Sequence, residues 1–213
     1  VTVNGRKATK PGQKVAPTDV LKVQAAHQYV SRAALKLASV AERLHIQFKD
    51  KIMLDVGSST GGFTQFALQQ GAAKVLAVEV GTNQLHHSLR QDLRIELHEK
   101  TDIRDFKTGQ KIDLVVADVS FISLRELLPS IKKLCNAQTD LVLMVKPQFE
   151  AAADNLKHKG VIKNDKIRRE ILKNFETWVL QHGFYVVDKA DSDVAGGKGN
   201  LERFYHLKIA SIS

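Results

Sequence analysis

Seven short apolar runs, at residues 52–56, 75–80, 95–97, 114–117, 141–145, 185–187 and 204–209, alternate with stretches of helical spacing at 63–70, 83–90, 124–134 and 166–181. A strand covered on both faces reads as an unbroken apolar run, and parallel neighbours need long crossovers, usually helices. The alternation therefore specifies an α/β fold, a Rossmann-like and mostly parallel sheet with helices on both faces. Such a sheet collects its ligands at the carboxyl ends of its strands. Any chemistry in this chain is expected in the loops that follow those runs. A chain of 213 residues has room for one well-buried domain and a small appendage.

The appendage is at the start. Val1-Thr2-Val3-Asn4-Gly5-Arg6 reads as a short strand entering an Asn-Gly turn, and Lys10-Pro11-Gly12 is a second turn signal. Too little core exists there for independent stability, so residues 1–21 read as the tail of a small module or as an arm on the main domain. A helix is expected over residues 20–44, where Val30, Ala33, Ala34, Leu37, Val40, Ala41 and Leu44 recur at intervals of three and four. Arg32 and Lys36 share another face of it.

The chain carries a net charge of +9, and its first 50 residues hold nine Lys or Arg against three acids. That concentration attracts a polyanion such as RNA, and it reads equally as a solvated basic terminus. The candidate RNA contacts are Arg6, Lys7, Lys10, Lys14 and Arg32, with Lys157, Lys159 and Lys163 in a second basic segment that continues through Lys166, Arg168 and Arg169. No run approaches the roughly 18 apolar residues of a membrane span. The first residues lack the apolar core of a secretion signal. A lone cysteine, Cys135, permits neither an internal disulfide nor a thiolate cluster. The expectation is a cytoplasmic protein with no membrane and no metal.

Three loops outline a nucleoside site. Asp55-Val56-Gly57-Ser58-Ser59-Thr60-Gly61-Gly62-Phe63 follows the first run, with glycines that permit a tight turn and close approach before a helix amino terminus. It lacks both the P-loop lysine and the spacing of a dinucleotide fingerprint, and taken alone it is weak evidence, since a tight structural turn has the same form. Glu79 ends the second run, where an acid accepts both hydroxyls of a ribose, and without a phosphate cradle that ribose belongs to S-adenosylmethionine. Asp102 follows the third run and is a candidate for the adenine amino group, or else a helix cap.

The next runs end in Asp118 and Lys146. Neighbouring strand ends place an acid and an amine side by side at the cofactor edge, and a lysine closing an apolar strand needs a role or a partner. The last two runs flank the Gly196-Gly197-Lys198-Gly199-Asn200 loop and are expected to be antiparallel, which brings Glu202 to the same edge.

With those residues in place the chain resembles the TlyA family of hemolysin-like ribosomal RNA 2'-O-methyltransferases, whose catalytic domain is similar to FtsJ. The matching segments are Tyr29-Val30-Ser31-Arg32, Lys36-Leu37, the Asp55 to Phe63 loop, Gln84-Leu85, the run from Asp118 to Leu124, the run from Val145 to Glu150, and Gly199-Asn200-Leu201-Glu202. The resemblance implies a catalytic tetrad of Lys36, Asp118, Lys146 and Glu202. It also implies S-adenosylmethionine as cofactor, with Asp118 near it, and a seven-stranded sheet of order 3-2-1-4-5-7-6 with strand 7 antiparallel. By the same resemblance residues 1–21 are the closing portion of an S4-like RNA-binding domain and 22–213 the methyltransferase domain. Two departures stand out: Ser31-Arg32-Ala33-Ala34 replaces a pattern that usually ends in two glycines, and Glu79 stands where an aspartate is common.

The implied reaction moves the methyl of S-adenosylmethionine to a ribose 2'-hydroxyl. Lys146 accepts the hydroxyl proton, which requires the neutral amine. Asp118 orients Lys146 and faces the cationic cofactor, Lys36 positions the hydroxyl, and Glu202 holds Lys36 and the ribose. The partner is ribosomal RNA or a ribosomal subunit. Two other functions fit parts of the sequence, a membrane-active hemolysin and a noncatalytic RNA-binding assembly factor.

Overall fold

The computed structural model describes residues 2–8, 10, 12–22, 29–153, 160–162, 164–197 and 199–210. Near the amino terminus, β1 (Thr2–Val3), β2 (Arg6–Lys7) and β3 (Leu21–Lys22) form a small antiparallel sheet of order β2-β1-β3. Asn4 and Gly5 both have positive φ, the conformation a two-residue hairpin turn demands. Asn4 also ties down β3, since its Oδ1 accepts from Val20 N at 2.9 Å and its Nδ2 donates to Asp19 at 2.8 Å. The expected helix over 20–44 is thereby corrected. Residues 21 and 22 are strand, the helix begins at Arg32, and residues 23–28 lie outside the described residues.

The main body runs α1 (Arg32–Ala41), β4 (Ile52–Val56), α2 (Gly62–Gln69), β5 (Lys74–Val78), β6 (Ile95–His98), β7 (Leu114–Ala117), α3 (Leu124–Lys133), β8 (Asp140–Val145), α4 (Pro147–Ala153), α5 (Asp165–Gln181), β9 (Phe184–Asp191) and β10 (Arg203–Ile209). Its sheet has the order β6-β5-β4-β7-β8-β10-β9, which is 3-2-1-4-5-7-6 when β4 is counted as strand 1. The four pairings from β6 to β8 are parallel, and β10 is antiparallel to both of its neighbours.

Because successive strand residues face opposite ways, each apolar run feeds two cores. Leu54, Leu76, Val115, Leu143 and Tyr205 pack on one side with α3 and α5. Met53, Val75, Val116, Met144 and Phe204 pack on the other with α1 and α2. Both clusters reach the carboxyl ends of the parallel strands, so the loops there spring from a rigid base.

Two further expectations change. Residues 83–90 hold only a single 3-10 turn, His87–Leu89. Asn83 has a φ of 56°, and Gln84 N donates to the Glu99 carboxylate at 3.0 Å instead of to a helical carbonyl. The four-residue spacing of Leu85 and Leu89 had the look of a helix face, but both leucines pack over Gly61. In addition α4 follows Lys146 directly, a short helix with proline at its first position.

Candidate active site

Asp55 occupies the fourth position of β4, on the face toward α2, and is 1% exposed. Thr64, in the first turn of α2, donates its hydroxyl to Asp55 Oδ2 at 2.6 Å and its backbone N–H to the same carboxylate. Burial pushes the Asp55 carboxyl up to about 7, with the negative charges of Asp118 and Glu79 acting in the same sense and the Thr64 hydrogen bonds opposing them. Its Oδ1 has no hydrogen-bond partner, and neither do the buried hydroxyls of Ser31 and Ser58 beside it. These groups line a cavity of about 320 Å³ together with Ser59, Thr60, Phe63 and Asp118.

Gly57 is left-handed at the turn out of β4, and a Cβ there would stand 3.0 Å from the Asp118 carbonyl oxygen. The two loops can close on each other only because that position is bare. Gly61 caps α2 at a φ of 90°, and any side chain on it would collide with Leu85 and Leu89.

A second cavity, of about 410 Å³, opens between the loops after β4, β5, β6 and β7, with Glu79, Asp102 and Asp118 on its walls. Glu79 is 7% exposed and links two of these loops, accepting from Ser59 N at 2.9 Å and from Gly81 N at 2.7 Å. Asp102 accepts the Arg104 backbone N–H and, through both oxygens, the Arg104 guanidinium at 2.9 and 2.6 Å. Those hydrogen bonds hold its carboxyl below the usual range. Asp102 is thus both a turn-former and a wall of the cavity.

A third cavity, of about 440 Å³, lies on the other side of the Asp118 loop and has Lys36, Ser120, Lys146, Phe149 and Glu202 on its walls. Two ion pairs face it. Lys146 Nζ lies 2.5 Å from Asp118 Oδ1 and donates to Ser120 Oγ at 2.8 Å. Lys36 Nζ pairs with Glu202 Oε2, and both side chains are buried. Lys36 projects from the middle of α1, Asp118 and Lys146 immediately follow β7 and β8, and Glu202 immediately precedes β10. The antiparallel course of β10 is what delivers Glu202 to this edge. Asp118 itself lines the other two cavities, so one ion pair has its carboxylate on those two and its amine on the third.

Of the expected RNA contacts, Arg6, Lys10 and Lys14 are exposed, belong to the amino-terminal segment and line none of the three cavities. Arg32 lines the 320 Å³ cavity and donates to the Ala195 carbonyl at 2.7 Å. Lys157, Lys159 and Lys163, and the side chain of Lys7, lie outside the described residues. Arg168, grouped by sequence with the entrance charges, is instead 8% exposed and turned inward.

Sequence reasoning passed over Thr64, Ser120 and Glu150. Glu150 is 1% exposed and caps α3 from a distance, accepting from Ser123 Oγ at 2.6 Å and Leu124 N at 2.8 Å. It thereby binds the helix after Lys146 to the helix after Asp118. Glu150 and Ser120 stand within segments that carry the family resemblance, which assigned neither of them a role. We expect Glu150→Ala to cost about 3 kcal/mol, because Leu124 N and Ser123 Oγ lose a buried charged acceptor. Thermal unfolding checks this, and a loss under about 0.5 kcal/mol, the range of ordinary surface changes, contradicts it.

Residues 29–209 match the family of FtsJ-like methyltransferases. The chain is 45% identical over 192 residues to the 23S rRNA (cytidine-2'-O)-methyltransferase TlyA of Campylobacter jejuni, covering 89% of this chain and 75% of that protein. It is 37% identical over 213 residues to the 16S/23S rRNA (cytidine-2'-O)-methyltransferase TlyA of Mycobacterium tuberculosis, covering 98% and 80%. Among solved structures, one from Streptococcus thermophilus described as a hemolysin superposes with a TM-score of 0.83 at 37% identity, covering 98% of this chain and 77% of that one. With its glycine loop, paired cavities and sheet order in hand, the chain belongs to the FtsJ-like methyltransferase family and takes S-adenosylmethionine as its cofactor.

Proposed function

We propose that this chain transfers a methyl group from S-adenosylmethionine to a ribose 2'-hydroxyl of ribosomal RNA. The observation that carries the reading is the pair of lysine–carboxylate contacts facing a cavity that shares the Asp118 loop with the two cofactor cavities. The names of the Campylobacter and Mycobacterium relatives supply the substrate class.

The residues present fit the cofactor. Asp55 Oδ1 and the Ser58 and Ser31 hydroxyls are buried acceptors and donors without partners, as the charged amino acid end of S-adenosylmethionine requires. Glu79 is placed to accept from a ribose, and Asp102 borders the same cavity. The bound cofactor supplies an electrophilic methyl on a sulfonium. The protein does the rest. Asp118 sits where it attracts that cation and holds Lys146 Nζ. Lys146 Nζ would take the proton of the 2'-hydroxyl, a step that requires the amine to reach the acceptor uncharged, and the hydroxyl oxygen would gain the methyl as the methyl–sulfur bond returns its electron pair to sulfur. Lys36, fixed by Glu202, orients the hydroxyl. Most of the acceleration comes from alignment, since displacement needs oxygen, carbon and sulfur in line.

In this reading residues 1–21 are the closing portion of an S4-like module, β3 being the strand that joins it to the methyltransferase domain from residue 22. Arg6, Lys7, Lys10, Lys14, Arg32, Lys157, Lys159 and Lys163 contact the RNA backbone, and a ribosomal substrate implies a cytoplasmic enzyme. The test is transfer of labelled methyl to separated small and large ribosomal subunits, followed by nucleoside analysis. The expected product is a 2'-O-methylnucleoside. Label in a base, in protein, or nowhere across subunits and free rRNA refutes the reading.

A further inference from the structure

The face of α1 that bears Lys36 is fastened along its length to the segment that bears Glu202. Arg32, Lys36, Ser39 and Arg43 follow one another at intervals of four, three and four, which is one face of a helix and of the turn that continues it. Arg32 donates to the Ala195 carbonyl at 2.7 Å, Lys36 pairs with Glu202, Ser39 Oγ accepts from Asp193 N at 3.3 Å, and Arg43 donates to the Asp191 carbonyl at 2.5 Å.

The segment is in turn gathered at its two ends by one buried guanidinium. Arg168, in the first turn of α5, donates from Nη2 to Asp191 Oδ1 at 2.5 Å and from Nε to the Leu201 carbonyl at 3.1 Å. Asp191 closes β9, and Leu201 directly precedes Glu202. Arg203 completes the junction with bonds of 2.7 and 3.0 Å to the same Asp191 carboxylate. The Glu202 carbonyl accepts from Ser192 N at 3.0 Å, so the backbone on both sides of Glu202 is held. Arg168 lines none of the three cavities described above, and its contacts among the described residues are at this junction.

We propose that Arg168, acting through Asp191 and the Leu201 carbonyl, is a positioning residue that sets where Glu202 holds Lys36. The proposal rests on the methyl-transfer reading for its effect on rate. Arg168 touches neither cofactor nor acceptor; it fixes the spacing between the end of β9 and the start of β10. Its planar fork bonds a carboxylate and a carbonyl at once, which a lysine ammonium on a flexible stem does less well.

The test uses Arg168→Gln, Arg168→Lys and Asp191→Asn in the full chain, with Glu202→Gln as a second background. Arg168→Gln is expected to lower the single-turnover rate by about tenfold or more, as a small misplacement of a reacting group does. The RNA KM and cofactor affinity should stay within about threefold, the pattern of an interaction felt only in the transition state. Arg168→Lys should recover part of the rate. In the Glu202→Gln background the added Arg168→Gln change should cost less than about twofold, because residues acting through one contact are not additive. A merely structural arginine would give additive losses there, and that result, or an unchanged rate in Arg168→Gln, overturns the proposal.

Nuclear magnetic resonance supplies a readout that needs no turnover. In Arg168→Gln and Asp191→Asn the Ser192 amide should exchange faster and the protected Lys36 ammonium signal should disappear, while the β4 amides keep their protection. If both signals persist the positioning role is wrong, even where the wild type proves inactive on RNA, an outcome that would sink the transfer reading by itself.

Discussion

Lys146→Ala is expected to slow methyl transfer by about a thousandfold or more while leaving the cofactor bound, a loss at the top of the range for removing one positioned proton acceptor. The sign of the binding effect follows from charge. Lys146 Nζ is the cation nearest Asp118, at 2.5 Å, and Asp118 borders both cofactor cavities. Removing the amine leaves the carboxylate free to face a sulfonium, so affinity for S-adenosylmethionine should hold or tighten, whereas affinity for the uncharged product S-adenosylhomocysteine should change less. Lys146→Arg separates two roles. A guanidinium keeps the charge and can still pair with Asp118, yet it does not give up a proton in proteins. If Lys146 is the proton acceptor, the arginine variant is as inactive as the alanine one. Single-turnover transfer of labelled methyl and calorimetric titration measure the two quantities. An arginine variant with near wild-type turnover would move the proton elsewhere.

The second large effect is on cofactor affinity and pH. Asp55 is buried, its carboxyl is pushed up to about 7, and its Oδ1 awaits a partner. The cofactor's ammonium favours the ionised form, so binding at lower pH must displace a proton from Asp55. Affinity should therefore rise by about tenfold per pH unit from pH 5 toward pH 7 and level off above it. Over that window an α-amino group stays largely protonated and an α-carboxylate ionised, so the slope belongs to the protein. Asp55→Asn should flatten it. The same group leaves a mark on the ligand-free protein. Its folded pKa lies above the ordinary value of 3.8, so the buried charge it carries opposes folding above pH 7. That penalty shrinks as pH falls through 7 and is gone below 3.8. A wild-type affinity that is level between pH 5 and 7 would show that Asp55 does not pair with the cofactor's amine.

The strands were the legible part of this chain. Runs such as 52–56 and 114–117 are apolar because both faces are covered, and their bounds coincide with β4 and β7. The sheet order came from resemblance and not from periodicity, since a one-dimensional pattern holds no record of which strand lies beside which. Two members of the expected tetrad were singled out for a related reason, whereas Lys36 came from the resemblance. Asp118 and Lys146 are charges at the ends of apolar strands, places where burial makes an unassigned charge costly.

What escaped was set by contacts between distant residues. Leu85 and Leu89 have helical spacing, but Gly61 across the loop draws them into a groove, and the backbone follows. Residues 21 and 22 fell within the stretch expected to be helical, yet Asn4 and β1 claim them for a strand. Arg168 sits among basic neighbours that face solvent, and its inward turn depends on Asp191, twenty-three residues later. Thr64 gave no signal because a threonine in a first helical turn is ordinary; its meaning comes from Asp55 beneath it.

The insertion of β10 between β8 and β9 has a consequence for how the enzyme comes into being. The two cavities proposed for the cofactor are lined by residues no later than Leu127. The cavity proposed for the acceptor has Glu202 on its wall, and Glu202 stands there because β10, made after both of its neighbours, pairs between β8 and β9. On the proposed reading, the nascent protein acquires the residues that would bind the methyl donor well before the one that completes the acceptor cavity. That pairing of β10 is long-range, and loop closure must be met before such contacts reward it.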